Sequence, residues 1–480
     1  MKALRWAWAL LLLNAFDAPS SYAQGVGDIR FLKPDTVLER SAEHYPQILE
    51  SLARRQAALG RELTAAGAFD IVFSSATSHY LYGFYNGQTV DVTAERNLRP
   101  LGGRVFGSYR VSQGTFPIYD DLAFTNEGGE FKIGAFFSLL RDREIDDRRF
   151  ALRDTALAAK QADLEVLLTQ LGVQHQALSA YWRWVAEGHK LQIFQSLLDL
   201  ALVRQEGLEK EVERGARAAI FLTENQQNIT RRRIFTRQAE RDFAAAQAQL
   251  ALFYRSNEGA MVEPGADTLP PVPVMDGIIP RWAVVDQMTI PDILSVRPDL
   301  GVLQAGLNRA RARNALAENG LKPRLDLSLE ASNDVGAIAQ GGASRDPAEG
   351  AVGLRFSMPL QMREARGRIE TAQAEATAIR QQTRLLEDQV AIEIQTILID
   401  LKTATDLLKL AALDVSQADT MRDAEQRRFA QGASDFFLVN LREETAADAR
   451  IRDIDAELRA QLSCADYHAA TIDKDALGIP

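Results

Sequence analysis

Along this chain, apolar residues recur in two rhythms. One repeats every three or four positions and marks a stripe on an α-helix; the other repeats every second position and marks one face of a β-strand. The helical rhythm is clear in VAIEIQTILIDLKTATDLLKLAALDV, residues 390–415. It extends through two long passages, 142–214 and 364–431, that contain no proline and only isolated glycines such as Gly172, Gly188, Gly207 and Gly367. About 70 helical residues span on the order of 100 Å. So thin a rod cannot bury its own stripe, which implies bundling within the chain and between chains.

The two-residue rhythm appears in PRLDLSLEAS, where Leu325, Leu327, Leu329 and Ala331 alternate with Arg324, Asp326, Ser328 and Glu330. It returns in AVGLRFSMPL with Val352, Leu354, Phe356 and Met358, giving strands at about 323–332 and 350–360. A less regular pair precedes them at 68–87 and 103–120. The aromatics there, Tyr80, Tyr82, Phe84, Tyr85, Phe106 and Tyr109, fit a girdle at a membrane interface. They equally fit a soluble hairpin with one hydrophobic face.

The elements occur in the same order twice. Each half opens with a helix, 34–67 and 290–320, interrupted by Pro46 or Pro298 and stopped by Gly67 or Gly320. The prolines are 252 residues apart and the glycines 253, which argues for internal duplication. Strands come next, then a long helix, then a glycine and a shorter returning helix. Gly215 in VERGARAAIF and Gly432 in RRFAQGASDFF are therefore read as the turns of two helical hairpins, with Ser434 or Asp435 available to cap the second returning helix. The segment 261–280 holds five prolines and two glycines and reads as an extended connector. The resulting division is a leader at 1–23, a first repeat at 24–260, a connector at 261–289, a second repeat at 290–463 and a tail at 464–480.

Two chemical features narrow the class. The first residues, MKALRWAWALLLL, set Lys2 and Arg5 before an eight-residue apolar run, followed by small residues up to Ala23. That is the layout of a cleaved export signal, and too short for the roughly 20 residues that cross a bilayer as a helix. A net charge of −10 excludes a general nucleic-acid binder, and a single cysteine, Cys464, excludes a disulfide framework. No phosphate loop, HExxH, CxxC or GxSxG arrangement occurs, so neither an enzyme nor a cofactor is expected.

Duplicated halves with paired strands, long helical hairpins and a proline-rich connector together resemble the TolC family of bacterial outer-membrane efflux proteins. The resemblance spans nearly the whole mature chain and rests on RPDL at 297–300, FSMPL with GRIETAQAEATA within 356–378, and RFAQG at 428–432. It implies a mixed α/β membrane protein, a homotrimer in which each protomer gives four strands to a shared 12-stranded β-barrel. A long periplasmic α-helical barrel would continue it. It also implies a passive exit duct in the outer membrane for a tripartite efflux or type I secretion system. The partners would be a periplasmic adaptor (membrane fusion) protein and an inner-membrane RND pump or ABC exporter. The other reading of the helical rhythm is a periplasmic coiled-coil adaptor or scaffold.

By the same resemblance, the turns at Gly215 and Gly432 lie at the periplasmic mouth. Relatives often carry a serine three residues after the glycine and an acidic residue six after it. This chain has Asp435 and Leu438 at those places in the second half, and Ala218 and Phe221 in the first. Arg214, Arg217, Arg428, Asp435 and Leu438 are accordingly the candidate aperture or adaptor-contact residues. The stretch from Gly67 to Gly215 is also 36 residues longer than that from Gly320 to Gly432, a surplus assigned to 87–129 as an enlarged mouth or extra periplasmic structure.

Overall fold

The structure, a computed structural model, describes residues 31–117, 124–271, 289–338 and 348–479. The leader at 1–23 and most of the connector lie outside the described residues. Proline controls how each half begins. Pro46 has no N–H to donate and forces Tyr45 out of the helical region (φ −74°, ψ 125°), which separates α1 (Pro34–His44) from α2 (Pro46–Ala66). Pro298 does the same to Arg297, separating α5 (Ile290–Val296) from α6 (Pro298–Asn319).

The two long passages form single helices, α3 (Asp147–Glu213, 67 residues) and α7 (Arg363–Ala430, 68 residues). Asp146 starts α3 by accepting from the Arg149 N–H at 2.8 Å. The returning helices are α4 (Ile220–Ala251) and α8 (Phe436–Ala470). Helix α3 packs against α2, α4, α6 and α8, while α7 packs against α6 and α8. The long helices therefore act as staves, each accompanied by one short helix along its sheet-side part and another along its far part.

The main core lies where these short helices succeed one another. Tyr181, Trp184 and Val185 of α3 meet Val37, Leu38 and Ile48 from α1 and α2, and Phe243 and Leu250 from α4. The tail closes this core with Leu477 and Ile479. Far from the core, small residues carry the contacts: Ala418 of α7 faces Ala446 and Ala449 of α8. Alanine there lets the helices approach with little side-chain ordering to offset.

Six strands form one antiparallel sheet in simple chain order: β1 (Ile71–His79), β2 (Gln88–Asn97), β3 (Arg104–Gln113), β4 (Glu130–Ser138), β5 (Arg324–Asp334) and β6 (Ala348–Ser357). Among the described residues the chain thus has six strands where four per chain were expected. The 36-residue surplus supplies the β2–β3 hairpin, two further strands of the sheet. Val90, Val92 and Ala94 do alternate in β2, but between charged and small residues that weaken the rhythm. In β4, adjacent Phe136 and Phe137 obscure it.

The pairing register keeps one face mostly apolar across the six strands, with Ser75, Thr77, Arg96 and Asn333 among its polar members. Phe73, Ala94, Gly107, Ile133, Ala331 and Gly350 lie in one row, and Val92, Tyr109 and Phe131 in the next. The opposite face carries Asp91, Glu95, Arg104, Arg110, Glu130, Lys132, Asp326 and Glu330. Phe106 belongs to that charged face, stacked on Phe136 with its ring over Gly134, so it is no girdle residue. A Cβ at Gly134 would lie 2.3 Å from the Phe106 ring, which explains the glycine. Tyr80, Tyr82, Phe84 and Tyr85 fall in the loop after β1.

No helix among the described residues is long and apolar enough to cross a membrane. Both hairpin turns use a left-handed glycine, Gly215 and Gly432, each at φ +72°. Substituting alanine at Gly432 puts a Cβ into this backbone region, which costs about 1–2 kcal/mol although no neighbouring atom lies within 4 Å. Gly432→Ala is therefore expected to lower the thermal stability of the helical part, with Gly432→Asn closer to wild type; thermal melts of the purified protein would measure both.

Candidate functional site at the hairpin turns

The two turns close with the same hydrogen bonds. In the first, the Gly215 N–H donates to the Val212 carbonyl at 2.9 Å and the Ala216 N–H to Glu211 at 2.9 Å. In the second, Gly432 donates to Phe429 at 3.0 Å and Ala433 to Arg428 at 2.8 Å. This is the Schellman arrangement, in which the left-handed residue lets two N–H groups satisfy carbonyls left free at the helix end. The turns differ in how the next helix begins. Asp435 caps α8 by accepting from the Leu438 N–H at 2.7 Å, whereas Ala219 at the head of α4 offers no side-chain acceptor.

Arg217 connects the two turns. Its guanidinium pairs with Glu211 at 2.6 Å and stacks over Phe221 at 5.6 Å and over Phe429 of α7 at 5.1 Å. Phe221 in turn meets Phe436 at the head of α8, with ring centroids 6.5 Å apart. Arg428 serves its own turn, pairing with Glu425 and donating to the Ala433 carbonyl, both at 3.3 Å. Ser434 also donates to the buried Glu425. Leu438 is half-buried, and Arg214 stands exposed without a side-chain ion pair among the described residues. Of the five flanking candidates, then, only Arg217 spans both hairpins.

A second feature is not among the residues that the sequence motifs single out. Glu443, 2% exposed, sits among three helices and accepts from Arg204 of α3, and from Arg232 of α4 at 3.2 Å. Arg204 also donates to Asn440 at 2.6 Å, Arg232 to the Leu197 carbonyl at 2.6 Å, and Gln426 of α7 to Glu443 at 3.3 Å. Burial pulls the Arg232 guanidinium below its ordinary pKa, opposed by the hydrogen bond and charge of Glu443. A signal was present in the spacing. Phe436, Val439, Asn440, Glu443, Ala446 and Ala447 share one helical face, so a carboxylate there had to enter the packed side. The far end of the bundle is thus held by buried ions as well as by apolar contact.

The described residues contain no grouping of histidine, cysteine or carboxylates suited to a metal ion. Residues 289–466 match the family model described as outer membrane efflux protein. That stretch takes in the second repeat, over which this chain is similar to outer membrane efflux proteins. Comparison with curated protein sequences returned no match.

Solved structures share this fold across both repeats. A membrane protein from Pseudomonas aeruginosa aligns with a TM-score of 0.65 at 12% identity, over 92% of this chain and 93% of its own. The outer membrane protein VceC from Vibrio cholerae gives 0.62 at 14%, over 91% and 95%. The open state of the Neisseria gonorrhoeae MtrE outer membrane channel gives 0.65 at 12%, over 91% and 88%.

Removing Glu443 would leave two arginines facing each other in the packed end of the helical bundle. Breaking one side of a buried pair costs about 3–5 kcal/mol. Glu443→Ala should therefore loosen the hairpin end strongly, while Arg231→Ala, which breaks the more exposed Arg231–Glu444 pair, should change stability by under about 1 kcal/mol. Hydrogen exchange of α4 and α8 amides in the two variants would check the contrast.

Proposed function

We propose that three copies of this chain assemble into the exit duct of a tripartite efflux or type I secretion system. The turns at Gly215 and Gly432 form its periplasmic mouth. The observation that supports this most directly is the pair of unfinished edges. Strands β1 and β6 bound the sheet, and one long face of α7 exposes Leu385, Ile392 and Ile399 at seven-residue steps. A seven-residue apolar seam is what a helix presents to another helix in a lateral pair. The edge helix on the other side, α4, exposes Ile234 and Phe235 beside Arg233, Arg237 and Arg241. A ring of copies brings α7 of one protomer against α4 of the next and gives both surfaces a partner.

In this assembly the mouth meets a periplasmic adaptor (membrane fusion) protein, which couples it to an inner-membrane RND pump or ABC exporter that supplies the energy. Arg214, Arg217, Arg428, Asp435 and Leu438 surround the aperture or touch the adaptor. Arg217 is the residue whose loss should alter the mouth most, because it bridges both turns. A freestanding periplasmic adaptor or scaffold would have no use for a six-stranded sheet with one mostly apolar face.

The protein should be recovered from outer membranes only with detergent, as a trimer by native mass measurement; a soluble periplasmic monomer would overturn the proposal. In planar bilayers, Arg217→Ala should move the reversal potential toward lower anion preference. An unchanged selectivity would remove Arg217 from the aperture.

A further inference from the structure

The number of strands per chain bears on the width of the channel. All six strands are nine to eleven residues long, the length that crosses a bilayer as a tilted β-strand. The extra hairpin, β2–β3, is neither folded over an end of the sheet nor offset from it. It is paired on both sides, to β1 through nine successive residues and to β4 through seven. Its apolar residues Val90, Val92, Tyr109 and Val111 continue the apolar face of β4, β5 and β6. Its charged residues continue the other face, with Arg110 on Asp91 at 2.8 Å and Arg104 on Glu95 at 3.1 Å. Arg104 also lies over the Phe136 ring of β4, 4.6 Å from its centroid, which ties the hairpin to its neighbour on the charged side.

We infer that each protomer contributes six membrane strands, so that three copies close an 18-stranded barrel whose added lumen wall is the ion-paired face of β2–β3. This rests on the trimeric assembly proposed above. Two arguments support closure. Strand β6 runs opposite to β1, because the six antiparallel strands alternate in direction. Joining β6 of one copy to β1 of the next therefore extends the same antiparallel pattern and leaves no open edge in hydrocarbon.

The second argument is chemical. The charged face carries cross-strand ion pairs on the very strands that have been added, and such groups are tolerated in a membrane barrel where they face water in the lumen. With strands about 4.8 Å apart and tilted by about 40°, 18 strands enclose a ring about 36 Å across at the backbone, against about 24 Å for 12. The membrane part of this duct would therefore pass broader cargo than a 12-stranded one, and would not be the step that selects cargo by size.

Single-cysteine labelling in outer-membrane vesicles tests the placement. The one native thiol, Cys464, is buried, and burial pushes its pKa up to about 12, so it contributes little background. Thr93→Cys and Ser108→Cys should react with a charged, water-soluble maleimide at least tenfold faster than Val92→Cys and Tyr109→Cys. The latter two should instead take a lipid-soluble maleimide. A disulfide should form between Ser75→Cys and Val92→Cys, partners in the observed register, and not between Ser75→Cys and Ile133→Cys.

Equal aqueous labelling of all four positions in a trimer would overturn the inference and leave the trimeric duct standing, as would a Ser75–Ile133 crosslink. Absence of a trimer would remove the assembly itself, and the closure with it.

Discussion

A peptide group in hydrocarbon has no water to bond, so every N–H and C=O that enters the membrane must find its partner within protein. With the sheet placed in the outer membrane as proposed above, that constraint accounts for its form. Six strands satisfy one another in simple chain order, and a register shift by a single residue would exchange the ion-paired face with the mostly apolar one. The same constraint makes the two edges the least complete places in the protomer. It also explains why the insertion in the first repeat is a hairpin. Strands can be added to this sheet only in antiparallel pairs if the chain is to return to the end of the sheet where α3 begins.

The helical part answers a different demand. Water satisfies its exposed backbone, so its problem is to keep helices of 67 and 68 residues side by side over their whole length. Large aromatic and aliphatic side chains solve this where the short helices meet, around Trp184 and Tyr181. Toward the turns the packing changes to alanine contacts and then to the buried Arg204–Glu443–Arg232 group. Ion pairs of that kind add little net stability compared with apolar packing, but they hold one geometry and penalise others.

Much of this could be read from the residues. Tyr45 and Arg297 leave the helical region because each precedes a proline, and the repeat spacing located both breaks. The turns at Gly215 and Gly432 were legible because a helix end needs a residue that tolerates positive φ. A cap at Ser434 or Asp435 was legible for the same local reason, and the structure selects Asp435. The strands β5 and β6 showed because their alternation is strong. Strands β2 and β4 did not, since Thr, Asp and Ala in one and paired phenylalanines in the other blur the rhythm. Phe106 looked like an interface aromatic, and only its pairing with Gly134 across β4 puts it on the charged face.

The sequence by itself determined what depends on near neighbours in the chain: helix breaks, turns, caps, the internal duplication and the amphipathic character of the strongest strands. These come from backbone sterics and from periodicities of two or 3.6 residues, which need no distant partner. Only the tertiary structure decided what depends on which distant residues meet. It showed that β4 pairs with β5 and so joins the two repeats into one sheet, that the surplus residues become two further strands of that sheet, and that Glu443 is enclosed by two arginines from another hairpin. Such contacts link residues about 200 positions apart, and nothing in local propensity selects one partner over another until the chain has folded.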